Sequence, residues 1–258
     1  MRTISLPFDH RTIELEVQWL FPERQNRPLM LFLHEGLGSI ALWKDYPRRL
    51  CEELECRGLV FSRYGYGHST QRPPTEKWGA DYLHRQAQLL PAFLQALEAD
   101  KPWIFGHSDG ATIALLFAAS FPDALQGAIA LAPHISVEEK TLRGIGQTRE
   151  AYEKGNLKQK LARYHADPDS PFWGWHDAWT SPDFAFNIEE SLSKIRCPLL
   201  LIQGHGDEYA SMEQVDGIKK RVPQAEVLKL EDCGHIPFLD RPEAVAQAVK
   251  RLMETAEI

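Results

Sequence analysis

The sequence predicts an α/β protein, a mostly parallel, doubly wound sheet with a helical segment inserted late in the chain. Three observations lead there: short continuous apolar runs, amphipathic helical patterns alternating with them, and one long stretch in which the alternation lapses. The bulk composition agrees. Of 258 residues, 43% are hydrophobic and 25% charged, enough apolar content for one large α/β domain with or without a small insertion.

In chain order, alternation of polar and apolar residues comes first. Thr12 to Val17 (TIELEV) alternates polar and apolar with period two, as a half-exposed strand near a sheet edge does. The pattern then changes to LMLFLH (Leu29 to His34), GLVFSR (Gly58 to Arg63), KPWIFGH (Lys101 to His107), GAIALA (Gly127 to Ala132) and CPLLLIQG (Cys197 to Gly204). Runs of that kind are strands buried on both faces, which a parallel sheet covered by helices requires. A strand-like AEVLKL (Ala225 to Leu230) closes the series. Between them, Leu42 to Leu54, Tyr82 to Leu97, Ala111 to Phe121 and Ala244 to Met253 space their apolar residues at three and four, the helical period.

From about His134 to Lys194 no buried strand is legible. The segment reads as helices (SVEEKTLRGIGQTREAYEKG, NLKQKLARYHAD and IEESLSKI) around an aromatic patch, PFWGWHDAW, that holds Trp173, Trp175 and Trp179. The expected organisation is therefore a core of 1–133 and 195–258 with a helical cap over 134–194, inserted after the sixth strand. Ligands of open α/β sheets bind beyond the carboxyl ends of the strands, so the loops there are where chemistry is expected.

Ser108 stands in Gly106-His107-Ser108-Asp109-Gly110, directly after the apolar PWIF and before the helical ATIALLFAA. A G-x-S-x-G turn between strand and helix lifts a strained serine above the sheet, and its flanking glycines let the two backbones come close. Serine needs a general base, and histidine's ordinary pKa near 6.5 suits one. Among ten histidines, His235 (Asp232-Cys233-Gly234-His235-Ile236-Pro237) is in the glycine-flanked loop after the last strand. A carboxylate must orient that imidazole. Asp207, in Gly204-His205-Gly206-Asp207, holds the corresponding place after the preceding strand, with Glu208 as runner-up.

Acyl transfer also needs backbone N–H donors for the developing oxyanion. The N–H of Asp109 supplies one, and the loop His34-Glu35-Gly36-Leu37-Gly38-Ser39 the other, Gly36 before Leu37. His34 is expected to bond that loop rather than act as a second base. The side chains of Asp109 and Glu35 are expected to make the cleft mouth anionic, with the alternative for Asp109 of an electrostatic role at a helix N-terminus. Leu37, Glu35 and the three cap tryptophans are the candidate substrate contacts, the indoles suiting an apolar or aromatic group.

The HEGLGS loop, the SRYGYGHS segment (Ser62 followed by Arg63 to Ser69), GHSDG, GHGD and CGHIP resemble the α/β-hydrolase superfamily, near its capped esterase and carbon–carbon hydrolase branches. The likeness covers nearly the whole chain outside the cap. It implies the α/β-hydrolase fold, a serine hydrolase acting on a small carboxylic ester, and thioester, lactone or carbon–carbon substrates or a non-catalytic binding protein as alternatives. Two departures stand out: the loop opens His34-Glu35 instead of the more usual His-Gly, and Ser62 replaces an aspartate often found before R-x-G-x-G-x-S.

Charge and cysteine content narrow the partners. With 29 basic against 36 acidic residues, net −7, and no basic cluster, neither nucleic acid nor an anionic membrane is expected, leaving a small-molecule substrate. Cys51, Cys56, Cys197 and Cys233 form neither a disulfide scaffold nor a C-x-x-C zinc pattern, and no metal or organic cofactor is implied. The first residues lack the apolar core of a secretion signal, so the cytoplasm is the expected location. Oligomeric state leaves no signature in the sequence.

Overall fold

A computed structural model describes residues 2–184 and 186–256. Eight strands form one sheet: β1 (Arg2–Phe8), β2 (Arg11–Leu20), β3 (Leu29–Leu33), β4 (Arg57–Phe61), β5 (Trp103–His107), β6 (Gly127–Leu131), β7 (Leu199–Gly204) and β8 (Glu226–Leu230). Their order is β1-β2-β4-β3-β5-β6-β7-β8. The pairs β1/β2 and β2/β4 are antiparallel, and from β4 to β8 all neighbours run parallel.

The central strands β3, β5, β6 and β7 are buried along their whole length, as their unbroken apolar runs demand. Alternate side chains serve two cores. Leu29, Leu31 and Leu33 join one apolar cluster, and Met30 and Phe32 join the other on the opposite face.

The helices divide between those faces. On one, α2 (Tyr82–Ala96), α3 (Asp109–Ser120) and α8 (Met212–Arg221) bury Phe93, Leu115 and Ile218. On the other, α1 (Tyr46–Glu53), α9 (Pro237–Asp240) and α10 (Pro242–Ala256) bury Leu50, Phe238 and Val249. Every residue of α3 from Asp109 to Ala119 is buried, which is why its sequence is apolar on all sides rather than on one stripe. The helical pattern expected from Leu42 resolves into a 3-10 turn (Ile40–Trp43) followed by α1. Lys44, at φ 55°, interrupts the helix there.

Between β6 and β7 no strand joins the sheet among the described residues; the segment holds α4 (Glu139–Glu153), α5 (Leu157–Leu161), α6 (Asp169–Thr180) and α7 (Glu189–Leu192). The aromatic patch is itself a helix, α6, where the sequence reading placed helices only around it. Its two faces consequently point different ways, a difference that matters at the site.

Candidate active site

The turn from β5 to α3 builds the site's centre. Ser108 sits at φ 53°, ψ −116°, outside the regions favoured by L-residues. Its neighbours permit the turn. A Cβ on Gly106 would lie 2.4 Å from the Gly110 carbonyl oxygen, and one on Gly110 would lie 2.0 Å from that of Leu33. Strand and helix backbones therefore touch only because both positions are glycine.

The loops after β7 and β8 bring the other two side chains in. His235 Nε2 lies 3.0 Å from Ser108 Oγ, and its Nδ1 lies 2.9 Å from Asp207 Oδ2. Asp207 is fully buried, and its carboxylate accepts from four donors. These are His235, Gln203 Nε2 at 2.7 Å, and the backbone N–H groups of Tyr209 at 2.7 Å and Ala210 at 3.0 Å. Burial alone would raise its pKa, but the hydrogen bond and charge of His235 and the Tyr209 N–H outweigh it, holding the group well below the carboxylate range. A carboxylate so held has no proton to give, so Nδ1 carries the hydrogen and Nε2 is free to accept from the serine. Burial lowers the His235 pKa while Asp207 raises it, and the net direction is upward. Glu208 lines the cleft but does not bond the histidine.

The loop after β3 lies alongside. His34, fully buried, accepts the Arg63 N–H at Nε2 (3.0 Å), so Nδ1 is the protonated nitrogen and donates to the Glu35 carbonyl at 2.7 Å. Burial first, and the Arg63 charge second, keep this imidazole's pKa far below its ordinary value, fitting the structural part expected of it. Arg63 also donates to the Glu35 carbonyl, at 2.8 Å. His165, reaching over from the inserted segment, accepts the Gly67 N–H and donates to the Leu37 carbonyl at 2.9 Å. Among the described residues, the N–H groups of Gly36 and Asp109 have no backbone acceptor outside regular structure, and both residues line the same cleft as Ser108.

The missing aspartate at position 62 is replaced from another strand. Ser62 Oγ accepts the Ile40 N–H at 2.9 Å and donates to the buried carboxylate of Glu16 on β2, which also accepts the His68 N–H at 3.0 Å. Through Ser62, a buried carboxylate thus still joins the stretch after β3 to the segment after β4.

Asp109 corrects one expectation. Its carboxylate does not face the cleft mouth. It turns beneath α6, accepting from Tyr82 Oη at 2.7 Å and Trp179 Nε1 at 3.2 Å, with the Arg63 guanidinium 3.7 Å away. Trp179 Nε1 also lies 2.6 Å from Tyr82 Oη. Burial raises the Asp109 pKa, with Arg63 and these donors opposing. Only Glu35 of the expected anionic pair faces the cleft, its side chain 28% exposed and its Oε2 3.7 Å from His107 Nδ1.

The tryptophans divide by helical period. Trp175 and Trp179, four apart on α6, line the cleft with Thr141 and Ile145 of α4. Trp173 does not line it. It falls on the other side of α6, packing against Tyr152 and Phe172. Gly36 has no side chain because Trp175 fills that space; a Cβ would meet the indole at 2.3 Å. Leu37 lines the cleft as expected. The sequence reading missed His107, His134, Tyr209 and Ile236, all on the cleft wall, and Tyr82 beneath it. His107 and Tyr209 adjoin motif residues, a weak signal; Tyr82 sits in an ordinary helical pattern with none.

A sequence profile described as the alpha/beta hydrolase family matches residues 30–248. The chain belongs to the alpha/beta hydrolase family. This hydrolase is 24% identical over 271 residues to a proline iminopeptidase of Heyndrickxia coagulans, covering 86% of its own length and 89% of the relative's. A shorter match, 35% identical over 60 residues, covers 23% of the hydrolase and 24% of a pimeloyl-[acyl-carrier protein] methyl ester esterase of Aromatoleum aromaticum. Among solved structures, a thermophilic esterase from Thermogutta terrifontis superposes with a TM-score of 0.76 over 100% of both chains at 18% identity. That likeness is one of fold. No helix among the described residues is long and apolar enough to cross a membrane.

Proposed function

We propose that the protein is a serine hydrolase that cleaves a small carboxylic ester through an acyl-enzyme, with Ser108 as nucleophile, His235 as base and Asp207 orienting the base. The hydrogen-bonded chain from Asp207 through His235 to Ser108 Oγ, at 2.9 and 3.0 Å, carries this reading.

Ser108 Oγ attacks the ester carbonyl carbon while its proton passes to His235 Nε2. The carbonyl oxygen becomes the oxyanion, received by the N–H groups of Asp109 and Gly36, Leu37 being the second choice in that loop. Collapse breaks the bond to the alkoxy oxygen, which leaves as the alcohol with the His235 proton. Water then enters; His235 takes one of its protons, the hydroxide adds to the acyl carbon, and the acid departs as Ser108 regains its hydrogen. Asp207 remains ionised throughout, stabilising the transient imidazolium.

The segment 134–194 acts in this scheme as a cap on the 1–133 and 195–258 core, since α4 and α6 supply one wall of the cleft. A cleft of about 200 Å³ suits a small substrate, and Trp175 and Trp179 suit an apolar group on it.

The test is a panel of p-nitrophenyl esters, thioesters, lactones and vinylogous diketones run on the wild type and Ser108→Ala, with fluorophosphonate labelling alongside. Ester turnover and labelling that both disappear in Ser108→Ala are expected. Labelling that persists in the variant would remove Ser108 from the mechanism.

A further inference from the structure

Among the described residues, two acceptors on the cleft wall have no donor within hydrogen-bond distance. His107 is 1% exposed, and its Nε2 lies 2.7 Å from the His235 carbonyl oxygen, so that nitrogen carries the proton and donates. With the hydrogen on Nε2, Nδ1 is the ring's acceptor position, buried and without a hydrogen-bond partner. Facing it, 3.7 Å away, is Glu35 Oε2. That separation is too long for a hydrogen bond between them. Both residues line the cleft beside Ser108.

The geometry keeps the carboxylate there. A Cβ on Gly38 would lie 2.5 Å from Glu35 Oε2, so the glycine leaves room for the side chain to fold back over its own loop toward His107. Although burial opposes ionisation, the Glu35 pKa lies at about 2, so the group is anionic at neutral pH. Arg63 does not neutralise it. That guanidinium lies behind the wall, donating to the Glu35 backbone carbonyl and facing Asp109. Among the described residues no lysine or arginine lines the cleft, whose remaining wall includes the rings of Trp175, Trp179 and Tyr209.

We infer that Glu35 and His107 Nδ1 form a subsite for a protonated amine on the substrate, and that the hydrolase acts on ammonium-bearing esters. As to turnover, the inference rests on the serine-hydrolase reading; as to binding, it stands apart from it. An ammonium group donates one N–H to the carboxylate and a second to the imidazole nitrogen, filling both vacant acceptors with charge-assisted bonds. The adjoining rings receive its apolar remainder and add cation–π attraction.

The binding arm uses full-length Ser108→Ala protein, titrated by calorimetry at neutral pH with 2-phenylethylammonium, 2-phenylethanol and 3-phenylpropionate. The ammonium should bind about tenfold tighter than the alcohol, and the carboxylate weakest of the three. Adding Glu35→Gln should cut the ammonium-to-alcohol ratio about tenfold, whatever change is common to both ligands. Equal affinity for ammonium and alcohol, or tighter binding of the carboxylate, overturns the subsite. The turnover arm compares kcat/KM for p-nitrophenyl β-alaninate with that for its isostere, p-nitrophenyl butyrate, on the wild type. Cleavage of both without preference for the ammonium sinks the subsite alone. Cleavage of neither, with the binding preference intact, sinks the hydrolase reading and leaves the subsite standing.

Discussion

Replacing Asp207 by asparagine tests the triad at its least exposed member. The new side chain has one acceptor where the carboxylate had two. If its NH₂ took the Oδ1 position it would face the N–H groups of Tyr209 and Ala210, backbone donors that cannot turn away. At the Oδ2 position it faces Gln203 Nε2 and His235 Nδ1. Gln203 adapts readily, because its Oε1 is buried without a partner and a flip of the amide presents it to the new donor. The asparagine therefore directs its NH₂ at His235. The imidazole must accept at Nδ1 and carry its hydrogen on Nε2, where it points at Ser108 and cannot receive a proton. The general-base contribution, on the order of 10²–10⁴ in rate, is lost while the loop's hydrogen bonds are kept. We expect kcat for p-nitrophenyl acetate to fall by about three orders of magnitude with a urea midpoint close to that of the wild type. A ¹⁵N spectrum of His235 should show the exchanged tautomer. A fall of less than about tenfold, or fluorophosphonate labelling at the wild-type rate, would refute the reasoning.

Further predictions follow from the same contacts. The raised His235 pKa means the base is protonated, and inactive, to higher pH than a free histidine; the acid limb of kcat/KM should therefore lie above about 6.5, and a pH–rate series placing it at or below that value contradicts the Asp207–His235 coupling. Gly110→Ala forces a methyl against the Leu33 carbonyl and should cost more than about 3 kcal/mol, whereas Gly146→Ala, with open space around it in α4, should stabilise by about 0.5–1 kcal/mol; chemical denaturation measures both. Tyr82→Phe removes a hydrogen bond to the buried Asp109 carboxylate, an expected loss of about 1.5–3 kcal/mol in the same assay. Trp175→Ala should raise KM for aromatic esters while Trp173→Ala, on the far side of α6, leaves KM within about twofold.

By itself the sequence determined the features that are local in the chain. Fully buried strands must be continuous apolar runs, so β3, β5, β6 and β7 were visible as such. A serine between glycines at a strand-to-helix turn requires close backbone approach, and the loops bearing Asp207 and His235 follow strands of one parallel sheet, whose carboxyl ends share an edge. Their meeting at Ser108 was therefore readable from order and pattern alone. Side-chain direction was not. Asp109 follows the nucleophile in sequence, yet its carboxylate lies under α6 because Tyr82 and Trp179, from distant helices, offer it donors there. Trp173 and Trp175 look equivalent in the sequence, but two residues of helix turn one away from the cleft that the other lines. Glu16, a polar position in an alternating strand, became the partner of Ser62 only when β2 paired with β4. Each of these depends on which surfaces pack together, and packing joins residues whose separation along the chain carries no periodic signal.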